Sequence, residues 1–394
     1  MEKLYEIFIR QLRNSKYSYR RYLYNNIDWN HRIIAITGAK GVGKTTLIFQ
    51  YLKEKFRLDN SILYISLDDI FFSINSLTSI VEKFVQNGGK FLFLDEIHKY
   101  PGWMDELKDI YNSFPNLRLV ICGLSISKIL EENSKLSRAI VHYEMQGLSF
   151  REFVELESGN KFDILSLNNI LENHIEISHE ISDRINSDIL FSKYLRYGYY
   201  PYFLNGINEY PAKLAEIINI RIESDLTYAK NIDFNNIRKI KKLLLIIANS
   251  IPLRPNISKL SENISATRGT ILQYLDYLAQ ARFLNMLKKD HNTGSFMTKP
   301  EKIFLNNTNL IHILSANFND RNLSETFFFN QLKSNHSLVY NEECDFLIDQ
   351  RYIFNIGGKP EKIMQDLPDF YIVEKDIEIG FMNRIPLWLF GFLY

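Results

Sequence analysis

Neither sign of charge is in surplus in this 394-residue chain: 47 lysines and arginines stand against 46 aspartates and glutamates. Without a net positive field there is no chain-wide electrostatic footprint for nucleic acid, so any such binding has to come from a local basic face. Cysteine is almost absent. Cys122 and Cys344 lie far apart in apolar contexts, which excludes a disulfide framework and metal-ligand spacing and predicts a reducing compartment. Long hydrophobic runs are missing as well: no stretch approaches the roughly 20 apolar residues that span a bilayer. The segment MEKLYEIFIRQLRNSKYSYRRYLYNN is charged throughout and lacks the apolar centre and small-residue cleavage site of a secretory signal. No membrane contact is expected, and the cytoplasm is the expected location. Internal repeats and low-complexity linkers are lacking too.

What is present is the composition of a globular protein, 46% apolar or aromatic and 24% charged, able to bury a large core. The length predicts two or three domains. The closing stretch PLWLFGFLY is expected to be buried, because an apolar patch of that kind left in water promotes aggregation.

Along the first 150 residues, apolar strand-like runs alternate with amphipathic helical stretches, the pattern of a parallel sheet covered on both faces. The expected strands are Ile33 to Thr37, Ile62 to Ser66, Phe91 to Asp95, Leu117 to Cys122 and Ile140 to Met145. Helices are expected at Lys44 to Phe56, Leu77 to Asn87, Trp103 to Phe114 and Ile126 to Asn133. The fold class is therefore α/β, with a nucleotide-binding core over residues 1–148. Residues 149–250 read as a helical lid that starts at a Ser149 cap. Residues 251–299 read as a winged helix-turn-helix, with Arg268 on its turn and Gln273 and Tyr274 on its second helix. Residues 300–394 read as a small α/β domain.

The segment GAKGVGKT fits G-x-x-x-x-G-K-[ST] and stands between an apolar strand and a helix, as that motif requires. Gly38, Ala39, Lys40, Gly41, Val42 and Gly43 would wrap backbone N–H groups around phosphates, with Thr46 continuing the helix start. Lys44 would neutralise β/γ-phosphate charge, and Thr45 would ligate Mg²⁺. The apolar run Phe91 to Leu94 leads directly into Asp95 and Glu96. This Walker B arrangement predicts Asp95 in the Mg²⁺ shell and Glu96 as the group that polarises the attacking water. ATP and Mg²⁺ are thus the expected substrate and cofactor. The fourth strand ends in CGLS, where P-loop ATPases of the AAA+ class place a polar γ-phosphate sensor. Ser125 is the candidate, and an N-cap role is its alternative. Arg138, expected at the start of the fifth strand, is a candidate arginine finger, in its own site or in that of a second copy within a homo-oligomer. His98 reads as a structural residue of the turn after DEI.

Together DEIHKYPGWMDELKDIY, GLSFREF, YLRYGYYPYFL and KPEKIFLNN resemble a prokaryotic family of predicted AAA+ P-loop ATPases with an uncharacterised, nuclease-like C-terminal domain. That resemblance implies a winged helix followed by a restriction-endonuclease-like unit, whose active site would need a helix Glu, a strand Asp and an E-x-K pair. Glu325 and Asp345 match the first two. FNIGGK puts Asn355 and Gly357 where the second carboxylate and the lysine belong, leaving only the displaced Lys359. An inactive nuclease-like fold is expected. The function expected is an ATP-driven switch whose turnover changes how the C-terminal domains engage a protein partner. The alternatives are an ATP-regulated DNA-binding protein acting through the winged helix and an ATP-dependent nuclease.

Overall fold

Short, wholly apolar strands separated by helices can satisfy their backbone only in a sheet buried on both faces. The computed structural model describes residues 1–15, 19–57, 59–132, 134–225, 233–289, 299–357 and 369–394. Two helices, α1 (Glu2–Asn14) and α2 (Leu23–Asn26), precede five strands: β1 (Ile33–Thr37), β2 (Ile62–Ser66), β3 (Phe91–Asp95), β4 (Arg118–Gly123) and β5 (Ile140–Glu144). The strands run parallel in the order β2-β3-β4-β1-β5. Between them lie α3 (Lys44–Lys55), α4 (Leu77–Gln86), α5 (Trp103–Ser113), α6 (Ser127–Glu131) and α7 (Lys135–Ala139). Because every strand points the same way, all five C-terminal ends meet at one edge, where open α/β sheets bind ligands. The insertion of β4 between β1 and β3 sets its tip between the loop after β1 and the acidic end of β3.

The described chain forms two compact units. One is Met1–Gln146 with a short segment beginning at Glu223, and the other is Gly147–Ile222 with Asp233–Tyr394. The second unit opens with the helix Phe150–Ser158, capped by Ser149 and Glu152 in a reciprocal capping box. Further helices follow at Leu167–Ser182, Ser187–Lys193, Tyr210–Ile220, Phe234–Ala248, Ile257–Ile264 and Arg268–Gln280. The strand β6 (Leu284–Leu287) then pairs antiparallel with β7 (Lys302–Leu305), so the boundary expected at residue 300 falls inside a hairpin.

A second sheet combines β8 (Leu338–Val339), β9 (Phe346–Ile348), β10 (Tyr352–Ile356), β11 (Phe370–Glu374) and β12 (Arg384–Pro386). Their order is β12-β11-β10-β9-β8, antiparallel from β8 to β10 and parallel from β10 to β12. The C-terminal segment is buried, as expected: Trp388 is 0% exposed, its ring lies 6.5 Å from that of Phe150, and Phe390 lies 4.8 Å from Phe328. No helix among the described residues is long and apolar enough to cross a membrane.

One histidine of the second unit makes its stability depend on acid. Burial first, and the charge of Arg196 second, lower the His312 pKa from 6.5 to about 4. Folded His312 stays neutral where the unfolded chain takes up a proton. Its contribution is therefore complete above pH ~6.5 and lost as the pH falls through ~4. Urea unfolding of His312→Gln is expected to show a smaller stability difference between neutral pH and pH ~4 than the unsubstituted chain shows.

Candidate functional site

Gly38 leaves β1 with its N–H on the Gly123 carbonyl at 3.3 Å. A Cβ at that position would lie 2.3 Å from the Met145 carbonyl oxygen, so only glycine lets the loop pass β5. Gly41 and Gly43 take φ values of +90° and +108°, turning the chain into the start of α3 at no steric cost. Lys44, the first residue of α3, is 7% exposed. Its ammonium points back into the loop and donates to the carbonyls of Gly38 (2.8 Å) and Ala39 (3.0 Å). A buried cation held by neutral carbonyls inside its own loop is poised to exchange them for an anion.

Replacing Gly38 by alanine forces the β5 end away. We expect a stability loss of about 2 kcal/mol or more, read as a lowered melting temperature, together with loss of nucleotide-induced stabilisation.

Across the strand edge, Thr45 Oγ1 donates to Asp95 Oδ2 at 2.6 Å, and Tyr64 from β2 donates to the same oxygen at 2.9 Å. The Glu96 N–H binds Asp95 Oδ1 at 2.9 Å. Asp95 is 2% exposed, and these donors satisfy a carboxylate that burial would otherwise penalise. Burial and the neighbouring Asp95 charge push the Tyr64 hydroxyl far above its ordinary pKa, so it remains a donor. Glu96 adopts φ 52°, ψ 35°, a left-handed conformation that costs a non-glycine residue on the order of 1–2 kcal/mol. Strain at a carboxylate beside the phosphate loop is the kind retained where geometry matters more than stability.

The residues present fit Mg-ATP. A glycine cradle holds an inward-facing ammonium, and a hydroxyl and a carboxylate already share one point, which is a hard-oxygen donor set suited to Mg²⁺. Among the described residues, no group of three or more His, Cys, Asp or Glu is placed to hold a metal by itself.

The structure thus brings together the loop Gly38–Gly43, Lys44, Thr45, Asp95 and Glu96. Lys40 and Thr46 flank them, both half-buried. Ser125 lies half-buried in the turn after β4, but it is not a helix cap, because Ile126 takes that position at α6. Arg138 does not begin β5. It sits exposed in the last turn of α7, its Nε 3.5 Å from the Ser134 carbonyl of its own helix; the Ser134 cap starts a short helix that runs to Ala139, and the apolar pair Ile140 and Val141 opens the strand only after it.

Residues that the motifs did not point to complete the site. Arg21, 5% exposed, donates to the Val42 carbonyl in the loop and to the Gln146 carbonyl beyond β5 at 2.9 Å. The adjacent Tyr22 hydroxyl donates to the Glu144 carbonyl at 3.3 Å and accepts the Gln146 N–H at 3.3 Å. Both come from the charged stretch ahead of β1, and these contacts are to backbone groups. No side-chain pattern in the sequence announces such contacts.

In the second unit, Glu325 is 2% exposed and Asp345 lies close by. Arg321 donates to both, at 2.7 and 2.8 Å, and the Lys302 ammonium stands 3.8 Å from Glu325 and 3.6 Å from Asp345. Asn355 accepts the Asp345 N–H at 3.2 Å. The carboxylate pair thus faces two internal cations. Neither was singled out in the sequence, because they come from the helix Asp320–Leu332 and from β7. Lys359 lies outside the described residues. Of the three candidate readers on the two-helix element, Arg268 is exposed and Gln273 binds the Tyr277 hydroxyl. Tyr274 is 3% exposed with its hydroxyl on Asn236 at 2.7 Å, which makes it a core residue.

Residues 30–154 match a family model described as an AAA domain, and residues 188–321 match one described as a domain of unknown function. An uncharacterized protein of Methanocaldococcus jannaschii is 27% identical over 284 residues, covering 69% of this chain and 60% of that protein. The chain therefore spans less than two thirds of that relative's length. Among solved structures it is similar to a signal transduction ATPase with numerous domains (STAND) protein with a tetratricopeptide repeat sensor from Pyrococcus horikoshii. The identity there is 13%, over 81% of this chain and 46% of that one, with a TM-score of 0.31. It is also similar to AMPPCP-bound DnaA from Aquifex aeolicus, at 15% identity over 70% of this chain and 86% of that one, with a TM-score of 0.24. The first unit has the α/β fold of P-loop nucleotide-binding proteins. The AAA-domain match spans every residue of its site except Arg21 and Tyr22.

Proposed function

We propose that this chain is an AAA-type ATPase that binds Mg-ATP at Gly38–Thr45, hydrolyses it with Glu96, and uses the cycle to change how its second unit engages a protein partner. The observation that carries the reading is the meeting of Lys44, Thr45, Asp95 and Glu96 at one sheet edge, with Thr45 and Asp95 2.6 Å apart. Lys44 leaves the Gly38 and Ala39 carbonyls for phosphate oxygens, and the N–H groups of the loop and of the α3 start bind the rest. Thr45 and Asp95 would hold Mg²⁺, which when bound neutralises developing phosphoryl charge. Glu96 orients water and accepts its proton. Ser125 is assigned the γ-phosphate sensor role. Arg138, exposed on α7, is assigned to the nucleotide of a second copy in a homo-oligomer. The cytoplasm is the proposed setting. The Glu325–Asp345 pair is assigned a structural role without nuclease activity, because Arg321 and Lys302 already neutralise it.

A basic run favours a second reading, in which duplex DNA is the partner. Arg238, Lys239, Lys241 and Lys242 share the helix Phe234–Ala248. Lys239 reaches the Ser265 carbonyl in the turn between the two following helices, and Lys242 reaches the Asn263 carbonyl at the end of the first of them, which puts positive charge beside that turn. The test is Mg²⁺-dependent ATP turnover by the full chain with and without duplex DNA at low salt. Turnover unaffected by DNA supports the first reading. Stimulation that falls as salt rises supports the second. Absence of nucleotide binding sinks both.

A further inference from the structure

We infer that His98 is the positioning residue for Glu96, tying the catalytic carboxylate to the tip of β4. The inference rests on the hydrolytic role proposed for Glu96. His98 lies in the 3₁₀ turn Ile97–Lys99, whose first cap is Glu96 itself. Its side chain is 7% exposed, and Nε2 stands 3.6 Å from Glu96 Oε2. On the other side of the ring, Nδ1 accepts the Leu124 N–H at 3.4 Å. An imidazole nitrogen that accepts from a backbone amide carries no proton, so in the neutral ring the proton sits on Nε2, the nitrogen on the Glu96 side, at ion-pair rather than hydrogen-bond distance from its carboxylate.

The ring's space is built into β4. A Cβ on Gly123 would lie 3.2 Å from His98 Nδ1 and 3.2 Å from Ile97 Cγ2. The Gly123 carbonyl also receives the N–H of Gly38. One dipeptide, Gly123–Leu124, therefore holds the start of the phosphate loop with its first residue and the His98 ring with its second. The ring restrains a carboxylate whose backbone is already held in a left-handed conformation. Moving the β4 tip moves the loop and the water-orienting group together, which is how occupancy of the phosphate site reaches Glu96.

The test compares His98→Ala, His98→Gln and Gly123→Ala with the unsubstituted full chain in steady-state ATP turnover and in binding of a fluorescent ATP analogue. His98→Ala is expected to lower kcat by between about 10- and 100-fold, the effect of misplacing a catalytic group by about an ångström, with KM and analogue affinity within about twofold. Glutamine, whose amide N–H reaches in the direction of Nε2–H, should recover much of that loss, and Gly123→Ala should reproduce it. A loss that glutamine does not relieve, or one shared equally by kcat and analogue affinity, overturns the inference.

A second readout is independent of turnover, and its first part needs only the unsubstituted chain. Nitrogen-15 spectra of the imidazoles should show His98 as the Nε2–H tautomer, with an Nε2 resonance that shifts in Glu96→Gln. An Nδ1–H tautomer, or no shift, overturns the inference. If the shift is present but the unsubstituted chain never hydrolyses ATP, the contact stands and the hydrolytic reading of Glu96 is what fails.

Discussion

Replacing Glu96 with glutamine is expected to cut ATP turnover by about 10² to 10⁴-fold, the range that a positioned general base contributes, while ATP stays bound. Glutamine keeps the length and the polarity of the side chain and loses only the ability to accept the water's proton. The Asp95 oxygens keep their donors from Thr45, Tyr64 and the residue 96 N–H, so the phosphate end of the site should be unchanged. The expected outcome is a trapped ATP complex, detected as stoichiometric retention of unhydrolysed nucleotide after gel filtration. Turnover within about twofold of the unsubstituted chain would place the base elsewhere.

Lys44→Ala is expected to lose nucleotide affinity rather than turnover at saturation. Charge-assisted hydrogen bonds contribute roughly 1.5–3 kcal/mol each, so removal of this ammonium should weaken ATP binding by at least about 10- to 100-fold, measured by titration calorimetry. The same change has a cost before any nucleotide arrives. Lys44 is 7% exposed and satisfies the carbonyls of Gly38 and Ala39, and alanine leaves both without that donor. The melting temperature of the nucleotide-free protein should therefore fall as well. Lys44→Arg should not rescue binding, because a planar guanidinium does not fit the cradle that a compact ammonium fills. An affinity unchanged by Lys44→Ala would refute the assignment of this loop.

Much of the first unit was legible because its signals are local. An apolar run, a glycine loop and a helix start are each readable over a few residues, and β1, β2 and β3 begin and end where expected. The β4 and β5 bounds shift by a single residue, which is no more than the usual fraying of strand ends. Lys44, Thr45, Asp95 and Glu96 could be singled out for the same reason, since a motif is a local pattern with a mechanism, and the fold brings them to one sheet edge. What stayed hidden is tertiary. α1 buries Leu4, Phe8 and Leu12 at the four-residue spacing of one helix face, yet the charges between them dominate the composition of that stretch. Arg21 holds backbone carbonyls, Tyr64 meets Asp95 only because β2 lies beside β3, and Lys302 reaches Glu325 from a different strand pair. The misplacement of Arg138 has a smaller cause: the Ser134 cap starts a short helix that runs to Ala139, so the strand opens at Ile140, past Arg138.

The burial of Cys122 also gives the molecule an internal clock. This thiol is 1% exposed at the nucleotide edge, and burial holds its pKa well above the ordinary value. An alkylating reagent can therefore reach it only when the first unit opens. Cys344 is half-buried, and burial raises its pKa to about 11, so its labelling answers to the second unit. With a single thiol in each unit, the two alkylation rates separate local opening of one from that of the other without any engineered probe. The ratio of the Cys122 rates with and without ATP then converts directly into the free energy by which nucleotide holds its own unit shut.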